Sequence, residues 1–104
     1  MIARIWIGRT RAEHAETYSR YVLETGIEGL RHSEGNLGAW LLRRVDGDDA
    51  EFIVISLWDS MESIRGFAGA DVEKARYYPE DDKYLLEMPD NVTHYTVIHL
   101  SMEK

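Results

Sequence analysis

The chain has 104 residues, long enough for one domain and too short for two, so we expect a single domain over residues 1–104. Its formal net charge of -7 would repel a phosphate backbone, and the absence of cysteine excludes disulfides and thiolate metal sites. No apolar run approaches the roughly 20 residues that span a bilayer, and the N-terminus lacks the apolar core of a signal peptide. We therefore expect a cytoplasmic protein that binds neither nucleic acid nor membranes.

A strand and a helix are predicted first. Residues 2–8 are mostly apolar on both faces, which is typical of a central strand covered on both sides. Thr10 and Glu13 have the spacing of a capping box, so a helix is expected to begin there and to bury one stripe of side chains. Gly26 is expected to interrupt it, and a short helical piece over residues 27–32 then leads into a turn.

Two strands and a second helix follow. The runs 37–45 and 51–58 are separated by an acidic turn that contains Asp-Gly, which indicates a β-hairpin. The second run is almost wholly apolar and is predicted to be another interior strand. Asp59 and Glu62 mark the start of the second helix. Apolar residues at helical spacing predict a further helical piece over residues 72–78, which ends before the next proline.

The last part of the chain contains an acidic stretch, residues 79–91, and a final strand, residues 92–100. The acidic stretch carries four large apolar side chains, too many for a free linker, so we expect it to be ordered. The element order predicts an α+β, ferredoxin-like βαββαβ fold with an antiparallel sheet of order 4-1-3-2 and helices on one face. Because the first and third strands are apolar on both sides, the uncovered face is expected to pack against a second copy, giving a homodimer.

Three stretches carry a resemblance to a known family. They are Gly26-Ile27-Glu28-Gly29-Leu30, Gly35-Asn36-Leu37-Gly38-Ala39 and, most specifically, Ile55-Ser56-Leu57-Trp58-Asp59-Ser60-Met61-Glu62-Ser63. The last is similar to the Trp-Glu-Ser-x-Glu signature of the antibiotic biosynthesis monooxygenase family, and the order of elements matches over nearly the whole chain. The resemblance implies a dimeric α/β barrel with a cleft in each subunit, between helices and sheet, that holds an aromatic or polycyclic ligand.

That family includes cofactor-independent oxygenases of quinol-like or polyketide-like substrates, and it includes haem-degrading enzymes. In the cofactor-free chemistry the protein helps to remove a proton from an electron-rich substrate, and the resulting carbanion itself reduces O₂, so no cofactor is expected for this reaction. The haem-degrading branch has an Asn on the first strand, which this chain lacks there. Phe67 and Tyr77 stand where that branch has a Trp and its His ligand. Haem degradation is therefore disfavoured.

Arg4, Tyr77 and His94 are the candidate catalytic residues. An Arg on an apolar central strand is costly unless a carboxylate, solvent or an anionic ligand meets it, so Arg4 is a candidate for binding an enolate or a carboxylate. Tyr77 stands at a position to which the family resemblance gives a function, and it can either donate a hydrogen bond to a ligand oxygen or fill the core. His94 can reach the mouth of a pocket and move protons near neutral pH, or it can be a structural histidine.

Trp6, Trp58 and Phe67 are the candidate substrate-binding residues, which would shape the cavity. A buried indole needs a partner for its N–H, so such residues often border a pocket or an interface. Trp58, at the end of its strand, also fits a packing role. No metal is expected, because no two histidines have metal-ligand spacing and the acidic turn at residues 46–49 lacks that of a calcium loop.

Two hypotheses for the function remain open. The first is a homodimeric, cofactor-independent monooxygenase that acts on a small aromatic, quinol or polyketide-like molecule. In it, Arg4 and Tyr77 orient the anionic substrate and His94 assists proton transfer. The alternative is a non-catalytic homodimer that binds a small ligand, which the lack of a self-evident base in the sequence favours. Convergence of polar groups on one cavity is the feature that separates the two.

Overall fold

A computed structural model, which describes residues 1–102, gives the chain a four-stranded antiparallel sheet. The strands are β1 (Ile2–Arg11), β2 (Asn36–Asp46), β3 (Asp49–Trp58) and β4 (Thr93–Thr96), in the order β2-β3-β1-β4. The helices are α1 (Ala15–Val22), α2 (Glu28–Arg31), α3 (Met61–Ala68) and α4 (Asp81–Tyr84). This confirms the predicted ferredoxin-like α+β fold and its strand order. None of the helices in residues 1–102 is long and apolar enough to cross a membrane.

The chain between β1 and β2 forms one helical segment with irregular turns. A 3-10 turn over Ala12–His14 leads into α1, and a π-helical turn over Leu23–Ile27 joins α1 to α2. The predicted capping box is wrong, because the Thr10 hydroxyl donates to the Arg11 carbonyl and no side chain caps the helix. Pairing of β1 with β3 extends through Arg11, so Thr10 and Arg11 belong to the sheet and Thr10 cannot cap a helix.

The hairpin and the start of α3 follow the sequence pattern more closely. Gly47 adopts the positive φ of 64° that the tight turn between β2 and β3 requires. Helix α3 begins where it was predicted. Its N-cap is Ser60, whose hydroxyl accepts a hydrogen bond from the Ser63 N–H. Asp59 supports this cap from outside the helix, since its carboxylate accepts from the Ser63 hydroxyl at 2.6 Å.

Residues 69–80 contain no helix, so the helical piece predicted over residues 72–78 is wrong. Gly69 ends α3 with a φ of 96°. Two backbone hydrogen bonds of 2.8 Å then join residues 73–75 to residues 90–92. Pairing with this later part of the chain takes the place of helical hydrogen bonds. Because residues 69–80 form one side of the cavity described below, we call them the cavity wall.

The acidic stretch over residues 79–91 is ordered, as predicted. It contains α4 and buries Leu85 in the main core. The last strand is shorter than predicted, since β4 covers only Thr93–Thr96. It stops where its neighbour β1 begins, because the last pair of the ladder joins Thr96 to Ile2.

The two faces of the sheet differ in what covers them. On one face, side chains of the helices bury Phe52 and Trp58 completely. On the other face, β1, β2 and β3 present a row of apolar side chains, among which Ile7 and Leu42 are 48% and 45% exposed. We call this surface the open face; it consists of Ala3, Ile5, Ile7, Trp40, Leu42, Ile53 and Ile55.

Candidate functional site

A small cavity lies between the helix-covered face of the sheet, α1 and the cavity wall. Its volume is about 80 Å³, whereas pockets that enclose a drug-sized ligand measure roughly 300–1,000 Å³. Four of the six residues predicted from the sequence line it, namely Arg4, Trp6, Phe67 and Tyr77. The other two, Trp58 and His94, lie directly behind Phe67 and Arg4. The fold thus gathers the predicted residues around one cavity, whose walls must move apart to admit an aromatic ligand.

Arg4 attaches the cavity wall to the central strand β1. Its side chain is buried, its Nη1 donates to the Val72 carbonyl at 2.6 Å, and its Nη2 donates to the Lys74 carbonyl at 2.9 Å. Burial lowers the pKa of Arg4 from 12.5 to about 10. Its partners in the described part of the chain are carbonyls and a histidine, neither the carboxylate nor the solvent that the sequence suggested. A guanidinium has five N–H donors, so it can bind a further anion while it holds the wall.

His94 contacts the cavity only through Arg4. The two residues are direct neighbours in the β1–β4 ladder, and the His94 Nε2 lies 3.1 Å from the Arg4 Nη1. Burial and the nearby Arg4 charge both lower the pKa of His94 from 6.5. At neutral pH the ring is therefore uncharged, and the tautomer with its proton on Nδ1 can accept the hydrogen bond from Arg4.

Trp6 and Tyr77 form a hydrogen-bonded pair on one side of the cavity. The Trp6 Nε1–H donates to the Tyr77 hydroxyl at 3.1 Å, and that hydroxyl donates to the Pro89 carbonyl at 2.5 Å. The two rings meet edge to face, with centroids 6.2 Å apart. Burial raises the pKa of Tyr77. Its single proton is already directed at the backbone, so Tyr77 holds the cavity's shape and can only accept from a ligand.

Phe67 separates the cavity from the buried Trp58. The rings of Phe67 and Trp58 pack with centroids 5.6 Å apart, and the Trp58 Nε1–H donates to the Ser56 hydroxyl at 2.9 Å. Two guanidiniums approach the Phe67 ring, that of Arg76 at 4.8 Å from its centroid and that of Arg4 at 5.7 Å. Cations over an aromatic face are attracted by its quadrupole, so Phe67 places two positive charges next to an apolar surface.

Tyr18 and Asp81 form a buried, hydrogen-bonded pair in the cavity lining. The Tyr18 hydroxyl donates to Oδ1 of Asp81 at 2.8 Å, and the Tyr78 N–H donates to Oδ2 at 2.7 Å. Burial, and then the hydrogen bond to Asp81, raise the pKa of Tyr18 far above its ordinary value. Tyr18 therefore stays protonated, and its hydroxyl remains a donor to the carboxylate throughout the physiological pH range.

The Tyr78 hydroxyl is buried and has no hydrogen-bond partner among residues 1–102. It lies against Gly29 of α2, so closely that a Cβ at position 29 would be 2.7 Å from the hydroxyl oxygen. Arg76 stacks over the Tyr78 ring, 5.4 Å from its centroid. A buried hydroxyl without a partner costs free energy, so this end of the cavity is held together by packing rather than by hydrogen bonds.

Tyr18, Arg76, Tyr78 and Asp81 line the cavity but were not predicted as site residues. Tyr18 gave one usable signal, its place in the buried stripe of α1. Asp81 is one carboxylate in an acidic run, and nothing in the sequence distinguishes it from its neighbours. The positions of Arg76 and Tyr78 in the cavity follow from the path of the cavity wall, which was wrongly predicted to be helical. Within residues 1–102, no three His, Asp or Glu side chains cluster as metal ligands.

Comparisons with known proteins agree with this fold. A family model described as antibiotic biosynthesis monooxygenase matches residues 1–75. A Nitrosomonas europaea protein provisionally assigned as an antibiotic biosynthesis monooxygenase is 12% identical, with a TM-score of 0.67 over 95% of this chain and 100% of that one. The haem degrader MhuD of Mycobacterium tuberculosis, with two haems bound in its active site, is 20% identical, with a TM-score of 0.61 over 98% of this chain and 100% of that one. No curated protein matches.

The two kinds of comparison carry different weight. At 12% and 20% identity, the solved structures establish the fold alone. The family model rests on the sequence itself and covers well over half of the chain, including all of β1, β2, β3 and α3. The chain belongs to the antibiotic biosynthesis monooxygenase family.

Proposed function

We propose that the protein is a cofactor-independent monooxygenase that oxidises a small aromatic molecule, such as a quinol or an anthrone-like phenol, in the cavity between helices and sheet. The observation that carries the proposal is the approach of two guanidiniums, those of Arg4 and Arg76, to the cavity-lining ring of Phe67. Cationic donors next to an apolar, water-poor space favour a bound oxyanion or enolate. An anion of this kind is the intermediate that the chemistry requires.

The proposed reaction begins when the substrate loses a proton. With an anthrone, the carbanion at the methylene carbon gives its electrons to O₂. One oxygen atom becomes the new carbonyl oxygen, and the other leaves as water with the two methylene hydrogens. The substrate supplies all the electrons, so the protein's task is to bind the ring system, stabilise the anion and keep water away.

The candidate residues divide this task. Arg76 and Arg4 stabilise the substrate anion, and Trp6 and Phe67 provide apolar surface for the ring. The Tyr77 hydroxyl accepts a hydrogen bond from a substrate O–H group and so orients the substrate, and it also fixes the position of Trp6. His94 acts through Arg4, whose guanidinium it holds. Trp58 supports Phe67 from behind.

The cavity has to widen for such a substrate, since its volume is only about 80 Å³. The cavity wall has no regular secondary structure, and two carbonyl groups tie it to Arg4. We propose that it moves outward when the substrate enters. A substrate oxyanion can then replace one carbonyl as a partner of the guanidinium, which keeps the buried charge compensated.

We propose further that two copies of the chain pack through their open faces into a dimeric α/β barrel. Apolar side chains on adjacent strands form one continuous surface there, and Ile7, Leu42 and Trp40 are exposed on it. Monomeric proteins rarely expose an apolar patch of this kind. The cavity lies on the other face, so each subunit would retain its own site.

Haem degradation is not proposed, although the similar structure of MhuD belongs to a haem degrader. No histidine lines the cavity in the described part of the chain, and the Tyr77 hydroxyl is already engaged by Trp6 and Pro89.

The test is oxygen uptake by the purified protein, measured with an oxygen electrode and a panel of quinols and anthrone-like phenols. We expect uptake without added flavin or metal, at one O₂ per anthrone. Arg76→Leu should lower kcat/KM by about 100-fold, since the loss of one oxyanion donor typically costs that much. Arg65→Leu, which removes an exposed charge on α3 outside the cavity, should match the wild type. Uptake no faster than autoxidation across the whole panel would overturn the proposal.

The second candidate is a non-catalytic homodimer that binds a small ligand. This function is favoured because the polar side chains of the cavity already have hydrogen-bond partners in the protein. Arg4 donates to two backbone carbonyls, and the Tyr77 hydroxyl donates to one. A rise in melting temperature with an aromatic phenol, without any oxygen uptake, would support this function over the first.

A further inference from the structure

The reaction proposed above needs a base, and the cavity contains one carboxylate that no other part of the mechanism uses. Asp81 is 7% exposed, and among the described residues it is the only acidic side chain that lines the cavity. Its two contacts, the Tyr18 hydroxyl and the Tyr78 N–H, are both neutral donors. Its neighbours Glu80 and Asp82 are exposed to solvent, and Glu80 is also paired with Lys83. Asp81 is therefore a buried anion that has no cation to compensate it in residues 1–102.

A buried carboxylate without a cation is costly, and proteins retain such groups mainly where they are used. An ionised carboxylate has about four lone-pair positions, of which the two hydrogen bonds occupy two. Position 81 is the first residue of α4, and the Asp81 N–H is bound to the Tyr78 carbonyl at 3.0 Å. The side chain is thus fixed in place while part of its accepting capacity remains free.

We propose that Asp81 is the general base of the reaction and that Tyr18 is its positioning residue. This inference rests on the proposed function. The C–H or O–H bond of the substrate breaks, its proton passes to a free lone pair of the Asp81 carboxylate, and the bonding electrons remain on the substrate. Asp81 becomes a neutral acid, and the negative charge moves to a substrate that lies close to Arg4 and Arg76.

Tyr18 serves the base in two ways. Its hydroxyl fixes the rotamer of the carboxylate, and its hydrogen bond stabilises the ionised form that accepts the proton. Two neighbouring titratable groups act on Tyr18, namely Tyr77 on the cavity wall and Tyr21 on α1. Because burial raises the pKa of Tyr18 and of Tyr77, both stay protonated and neither competes with Asp81 for the substrate proton.

Proton removal can be measured separately from the oxygen reaction. Under nitrogen in D₂O, ¹H NMR follows the loss of the methylene signal of 1,8-dihydroxyanthrone, since an enzyme that abstracts this proton catalyses its exchange. The variants are Asp81→Asn, Asp82→Asn and Tyr18→Phe. Asp82 is the exposed neighbour on α4 and is the matched control. Circular dichroism and melting temperature establish that each variant is folded.

We expect wild-type protein and Asp82→Asn to catalyse exchange equally, and Asp81→Asn to be slower by about 100-fold or more, as expected when a general base is lost. Tyr18→Phe should keep exchange within about 10-fold of the wild type, because the carboxylate is still present. A merely structural pair would give Asp81→Asn and Tyr18→Phe the same loss of exchange rate.

The outcomes separate this inference from the function on which it rests. If Asp81→Asn exchanges as fast as the wild type, the base is wrong while oxygen uptake can still stand. If exchange requires Asp81 but no oxygen is consumed, the monooxygenase proposal fails and the base is retained. If the wild-type protein catalyses neither exchange nor oxygen uptake, both are overturned.

Discussion

Replacing Arg4 by Met tests whether this residue holds the cavity wall. The drop in the pKa of Arg4 from 12.5 to about 10 corresponds to a burial cost of about 3 kcal/mol. Its hydrogen bonds to the Val72 and Lys74 carbonyls contribute about 1.5–3 kcal/mol each. Arg4→Met removes both the cost and the gain, so we expect it to lower the free energy of unfolding by up to about 3 kcal/mol, with a midpoint of about 1.5 kcal/mol. For a domain of this size, the melting temperature should fall by about 10 °C.

Two measurements follow this change. Urea unfolding gives the global stability, and hydrogen exchange gives the protection of single amides. The amides of Lys74 and Ala75 should lose more protection than those of β3, because the wall is released while the sheet stays intact. Arg9→Met is the matched control on the same strand. Its ion pairs of 3.6–4.0 Å to Asp49, Glu51 and Asp46 are partly exposed and worth at most about 1 kcal/mol. If Arg4→Met changes neither stability nor wall exchange, our account of Arg4 is refuted.

Three further predictions concern other parts of the molecule. Tyr78→Phe removes a buried hydroxyl without a partner, so it should leave the free energy of unfolding unchanged or raise it by up to about 1 kcal/mol. Tyr77→Phe removes a hydroxyl that is bonded to Trp6 and Pro89, so it should lower the free energy of unfolding by about 1–2 kcal/mol; urea unfolding measures both changes. Ile55→Asp on the open face should halve the mass measured by light scattering, and Val45→Asp, on the opposite face, should leave it unchanged. Above pH 10 stability should fall with rising pH, because Tyr18 ionises when unfolded and stays protonated when folded; a Tyr18→Phe variant that lost stability just as steeply would contradict this reading.

Much of the fold could be predicted because its signals are local. The apolar runs of β1 and β3, the Asp-Gly of the hairpin and the start of α3 each depend on residues close in the sequence. The wrong capping box and the wrong helical piece both arose where distant segments compete with local preference. Thr10 has a capping pattern, but the ladder with β3 retains it in the sheet. The residues after Gly69 have helical spacing, but they pair with the backbone of residues 90–92 instead.

The candidate site could be predicted in part for the same reason. Arg4 and Trp6 were identifiable because a charged and an aromatic side chain stand out on an apolar strand, whose partners follow from the strand order. Asp81 and Arg76 were not identifiable, since each lies in a segment whose path is set by tertiary contacts. A single carboxylate in an acidic run carries no sign that Tyr18, 63 residues earlier, will bury it.

Gly29 sets how closely helix α2 packs against Tyr78, which lines one end of the cavity. Helix α2 approaches the tyrosine at position 78 so closely because a hydrogen atom is the largest group that fits between them. A variant intended to accept bulkier compounds therefore gains nothing from changing position 29, where every substitution adds atoms to an occupied space. A smaller side chain at position 78 would admit such compounds, since Tyr78→Leu would leave an unfilled volume beside Gly29. Selection for a different substrate size at this end should accordingly act on residue 78 and leave residue 29 untouched.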